Sequence, residues 1–124
     1  MLADADAMAT IAVKDLETAK KFYGEKIGLQ KFGDQKGVLT FKSGNSKITV
    51  YVSQYAGMNK ATVATWVVPD AGEVVAALKS KGLQFEHYDN LPGLTRNGDL
   101  HVAGSFKGAW LKDPDGNILH ILSM

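Results

Sequence analysis

A tandem repeat constrains this chain more than any other feature. Val13-Lys14-Asp15 returns as Val68-Pro69-Asp70, and Gly28-Leu29-Gln30 returns as Gly82-Leu83-Gln84, a period of about 55 residues. In each copy an apolar, β-rich run, 8–13 and then 63–68, leads to an aspartate placed to cap a helix. After Asp15 come Leu16, Ala19, Phe22, Tyr23 and Ile27 at helical spacing. After Asp70 come Val74, Ala77 and Leu78, with Glu73 positioned as a capping-box partner. Each helix ends at a glycine, Gly28 or Gly82. Such a period predicts one supersecondary unit built twice.

Strands rather than further helices follow. In the first half they are expected over 29–32, 38–42 and 47–52, separated by Gly33 and Gly37 and by a turn at 43–46. In the second half they are expected over 84–88, 108–112 and 117–122, the last two joined by Asp113-Pro114-Asp115-Gly116. Each half therefore reads β-α-β-β-β. The expected fold is α+β, one domain over 1–124 with modules at 8–56 and 62–124. One helix covers only one face of a sheet, so the two curved mixed sheets are expected to pair around a cavity.

Strand alternation nominates the lining of that cavity. Thr49 and Tyr51 point away from the apolar row Ile48, Val50 and Val52, and Met8, Thr10 and Ala12 point away from Ile11 and Val13. Ala64, Trp66 and Val68 form one row, and His120 shares a face with Ile118 and Leu122. The second half is longer by an insert over 87–101, rich in turn formers, which is either a connection or a lid. Arg96 and His101 of that insert join Met8, Thr49, Tyr51, Ala64, Trp66 and His120 as candidate ligand contacts. Arg96 is a solvated surface charge or a grip on a ligand carboxylate or phosphate.

Composition removes several alternatives. A net charge of +1 supplies no field to attract nucleic acid or a membrane surface. With no cysteine there is no disulfide, thiolate metal site or cysteine nucleophile. No run approaches the roughly 20 apolar residues that span a bilayer. Residues 1–7 carry Asp4 and Asp6 and no basic patch, unlike a secretory signal, so the expected location is the cytoplasm.

Three stretches carry a family resemblance: 13–17 with Phe22-Tyr23 and Gly28-Leu29, the repeated 68–70 with Gly82-Leu83, and the run 109–118 through Asp113-Pro114-Asp115-Gly116-Asn117. Together with the duplication they resemble the vicinal oxygen chelate group, the glyoxalase/bleomycin resistance/dioxygenase superfamily. The resemblance implies a divalent metal held by one residue on the first and one on the last strand of each module, commonly histidine and glutamate. Those positions hold Met8, Thr49 (or Tyr51 in a register slipped by two), Ala64 and His120. Of these only His120 is of a residue type that ligates such a metal, whereas a catalytic zinc normally takes three protein ligands. His87 and His101 match no ligand position. No metal or other cofactor is therefore expected, and a metal-dependent glyoxalase or dioxygenase is disfavoured.

The resemblance also implies a homodimer, and a small-molecule ligand sequestered in the manner of bleomycin-resistance proteins. A second reading is a lyase or isomerase acting next to a carbonyl, with His120 as general base and Tyr51 or Thr49 donating to a developing oxyanion. A third is an interaction module whose cavity is filled by its own side chains.

Overall fold

Asp15 caps its helix as the spacing predicts, accepting the Thr18 backbone N–H at 3.0 Å and the Thr18 hydroxyl at 2.6 Å. The computed structural model describes residues 1–124 as two compact units, Met1–Val63 with Asp113–Asn117, and Ala64–Lys112 with Ile118–Met124.

In the first unit, β1 (Ala9–Val13) leads to α1 (Leu16–Lys20), which widens into a π-helical turn at Lys21–Lys26. The strands β2 (Gln30–Gln35), β3 (Val38–Ser43) and β4 (Ser46–Val52) follow. The sheet order is β1-β4-β3-β2, with β1 parallel to β4 and the other pairs antiparallel. Parallel pairing puts the first and last strands of the module side by side, so Thr10 is level with Thr49 and Ala12 with Tyr51. The helix packs on β3 and β4. Under it Ile11, Val13, Leu39, Phe41, Ile48 and Val50 are buried with Phe22 and Tyr23, whose adjacent rings meet edge to face at 5.0 Å. Val52 departs from the expected apolar row and is 50% exposed. Its N–H bonds across the sheet to Gly37, which has no side chain to cover it.

β5 (Thr62–Val67), most of which belongs to the second unit, leads to α2 (Ala71–Ser80), capped by Asp70 accepting the Glu73 N–H at 3.1 Å. Its end is a Schellman turn: Leu83 N–H bonds to Leu78 C=O and Gly82 N–H to Lys79 C=O, with Gly82 at φ +88°. Here β6 (Thr95–Asn97), β7 (Leu100–Ala103), β8 (Phe106–Lys112) and β9 (Ile118–Ser123) complete a sheet of order β5-β9-β8-β7-β6. The α2 residues Ala71, Val75 and Leu78 and the sheet residues Ala109, Leu111, Leu119 and Ile121 are buried, and α2 packs on β8 and β9.

Two expectations are corrected. Residues 84–88 do not form a strand and contribute one bridge, Glu86 to Trp110, with the Glu86 N–H 2.7 Å from the Trp110 carbonyl. The 87–101 insert instead supplies β6 and the start of β7, so this module has one strand more than its twin. The cause is local. Asn97 pairs with Leu100 across Gly98-Asp99, and Ala103 pairs with Phe106 across Gly104-Ser105, two glycine-led two-residue hairpin turns.

Candidate functional site

The face of the second sheet opposite α2 carries a continuous run of aromatic rings. Phe106, Gly108 and Trp110 alternate along β8, and register places Trp110 beside His120 of β9 and Gly108 beside His101 of β7. The Trp110 and His120 rings are stacked, parallel within 2° at a centroid distance of 4.1 Å. His101 meets Trp110 edge-on at 4.9 Å, Tyr88 lies against both, and Phe106 lies 6.2 Å from His120. Trp110 and His120 are half-buried, leaving part of each ring to solvent.

The two histidines have opposite fates. His101 is fully buried, with Nδ1 3.2 Å from the Gly108 carbonyl and Nε2 accepting the Tyr88 N–H at 3.0 Å. Those bonds define a neutral ring with the proton on Nδ1, and no lone pair is left for a ligand. His120 Nε2 is buried with no hydrogen-bond partner. Burial holds the His120 pKa below its ordinary value, so its ring is neutral at pH 7. An unpartnered polar atom in an aromatic surround is the least satisfied group on this face.

The other candidates fall into two groups. Ala64 and Trp66 stand on β5, the strand next to His120's own, with Ala64 buried and Trp66 half-buried. Arg96 is level with His101 across β6 and β7 but turns to Asp89, its Nε 2.7 Å from the carboxylate. Met8, Thr49 and Tyr51 belong to the first unit and lie on its helix-free face, where Thr10, Thr49 and Thr40 form one row across three strands. Tyr88, Phe106 and Gly108 escaped the sequence reading. The alternation of β8 signals Phe106, Gly108 and Trp110 together once the strand is known to begin at Phe106. Nothing local signals Tyr88.

The four positions that correspond to metal ligands offer a thioether, a hydroxyl or phenol, a methyl group and one imidazole. A hard divalent ion takes carboxylate, imidazole or carbonyl oxygen donors, so this set does not fit one.

The family model described as Glyoxalase/Bleomycin resistance protein/Dioxygenase superfamily matches residues 7–121. The chain belongs to this superfamily. Among solved structures of the glyoxalase fold, a glyoxalase/bleomycin resistance protein/dioxygenase from Alicyclobacillus acidocaldarius is similar at a TM-score of 0.72 and 18% identity, covering 97% of this chain and 91% of that one. A lactoylglutathione lyase from Agrobacterium tumefaciens is similar at 0.71 and 18%, covering 97% and 93%. TnmS3, an antibiotic binding protein from Streptomyces sp. CB03234, is similar at 0.68 and 21%, covering 96% and 97%. No curated protein matches the sequence. At these identities the likeness to the solved structures establishes the glyoxalase fold, and the activities of those proteins remain their own.

Proposed function

We propose that this glyoxalase-superfamily protein binds a small organic molecule with a flat ring, without a metal ion, on the aromatic face around His120. The observation that carries this reading is the Trp110–His120 stack, half-open to solvent, with His120 Nε2 unpartnered beside it. Aromatic faces hold planar ligands by offset or edge contacts worth about 0.5–1.5 kcal/mol each beyond area burial. A desolvated nitrogen adds direction to such a site. The antibiotic-binding neighbour of the same fold supports a sequestering role. The superfamily resemblance supports a homodimer.

Elemental analysis of purified, denatured protein tests the metal-free part: zinc, nickel, manganese and iron are expected well below one equivalent, and a full equivalent overturns it. Titration with planar aromatic compounds, followed by the indole N–H signals of Trp66 and Trp110, tests the site. Indoles that stay unmoved while a ligand binds elsewhere would reject it.

The unpartnered nitrogen also favours the second reading, a lyase or isomerase with neutral His120 as general base. Turnover of a carbonyl substrate that survives His120→Ala undiminished would remove it.

A further inference from the structure

The helix-free face of the first sheet carries a cleft of about 390 Å³ lined by Met8, Phe32, Gln35, Val38, Thr40 and Lys47, a size within the range of small-molecule sites. Three of these side chains are apolar and two are neutral hydrogen-bonding groups. Lys47 is the only charge. Phe32 sits where the β2–β3 register slips between Lys31 and Gly33, a bulge that takes its ring out of the regular ladder. Phe32 is 60% exposed, and the Lys47 ammonium stands 4.2 Å from its ring centroid. A cation over an aromatic face is held at a defined place rather than swinging freely.

The charge around that ammonium is uncompensated. Lys47 takes part in no ion pair. Directly across the antiparallel ladder its partner is Lys42, a like-charge pair that weakens the sheet. Asp34, the acid on β2, is already taken by Lys31 at 3.1 Å and Lys20 at 3.8 Å. Asp6 lines an adjoining hollow with Met8 and Lys47 without pairing to the lysine. Counting Lys42, Lys47 and Asp6, the corner retains positive charge.

We infer that this cleft binds a small organic monoanion with a flat apolar body, an aryl carboxylate or sulfonate. The anionic group sits on Lys47 and within reach of Thr40 and Gln35, and the apolar body lies along Met8, Phe32 and Val38. An anion here relieves the Lys42–Lys47 repulsion and gains a charge-assisted contact. The site is built from the first unit alone and does not rest on the reading of His120.

The test is an ¹⁵N NMR titration of the full chain with 2-naphthoate and, separately, with its neutral counterpart 2-naphthamide. The expected result is that 2-naphthoate shifts the amides of Phe32, Thr40 and Lys47 and binds about tenfold tighter than the amide. Lys47→Gln should abolish that preference while keeping a folded spectrum, because Lys47 is exposed. Phe32→Ala should weaken both compounds alike. Equal affinity for the two compounds, a preference that survives Lys47→Gln, or no binding by either would each overturn the inference. Shifts confined to the indole signals of Trp66 and Trp110 would also overturn it, and would leave the aromatic-face reading standing.

Discussion

The phenol of Tyr23 donates to the carboxylate of Asp113, 90 residues further on, at 2.7 Å and out of contact with water. The same carboxylate accepts the N–H groups of Asp115 and Asn117, each at 2.9 Å, and the Asn117 side-chain amide at 2.8 Å. Asn117 passes the connection on to the Ala12 carbonyl at 2.7 Å. The turn before the last strand is thereby built into the first unit, with Asp113 as its hub.

Removing that hub leaves several buried donors unpaired. Asp113→Ala is expected to lower stability by about 3 kcal/mol or more, and Tyr23→Phe by about 1–2 kcal/mol. Urea unfolding monitored by circular dichroism measures both. A loss of less than about 1 kcal/mol for Asp113→Ala would mean that the turn is held by something else.

Burial, and then the Asp113 charge, push the Tyr23 phenol far above the ordinary tyrosine value. The folded chain keeps this proton where the unfolded chain, titrating near its ordinary value of about 10, releases it. The Tyr23 contribution to stability is therefore constant below about pH 10 and falls as pH rises beyond it. A spectrophotometric phenolate titration should show one of the four tyrosines ionising only as the protein unfolds. Four tyrosines ionising together in the native state would contradict this.

His120 works in the opposite pH range. Its imidazole is held below the reference value of 6.5, chiefly by burial. On acidification the unfolded chain takes up this proton before the folded one, so stability drops as pH falls below about 6.5. The His120 Cε1–H signal, followed by NMR, should titrate with a midpoint under 6.5. A midpoint at or above that value would show that the ring is solvated or paired with an acid.

Gly108 sets the depth of the aromatic face. A β-carbon there would stand 2.8 Å from His120 Nε2 and 2.9 Å from Phe106 Cζ, and the stack on Trp110 limits how far His120 can retreat. Gly108→Ala is expected to cost about 1–3 kcal/mol and to change the near-ultraviolet circular dichroism of the tryptophans. An unchanged spectrum at full stability would show that the stack yields freely.

Gly57 is constrained twice, by φ +76° and by the Asp115 carbonyl, into which a β-carbon would project. Gly57→Ala should cost about 2 kcal/mol or more in thermal or urea unfolding. A neutral substitution would place the 53–58 segment elsewhere.

The sequence by itself determined what neighbours along the chain can decide. The capping aspartates, the terminal glycines and seven of the nine strands were legible because each depends on a few consecutive residues: a side chain reaching a nearby N–H, a backbone that tolerates positive φ, or an alternation of period two. Two strands were missed because the turn-forming residues of the 87–101 insert, and Gly104-Ser105 beyond it, belong to a pair of tight hairpins. Only the tertiary structure decided the sites. It seated residues 113–117 in the first unit, closed both nitrogens of His101 while leaving Nε2 of His120 unpartnered, laid His120 flat on Trp110, and stood Lys47 over Phe32. Each of these depends on cross-strand register, which is set jointly by turn geometry, bulges and the face the helix covers. No single stretch of sequence contains that information.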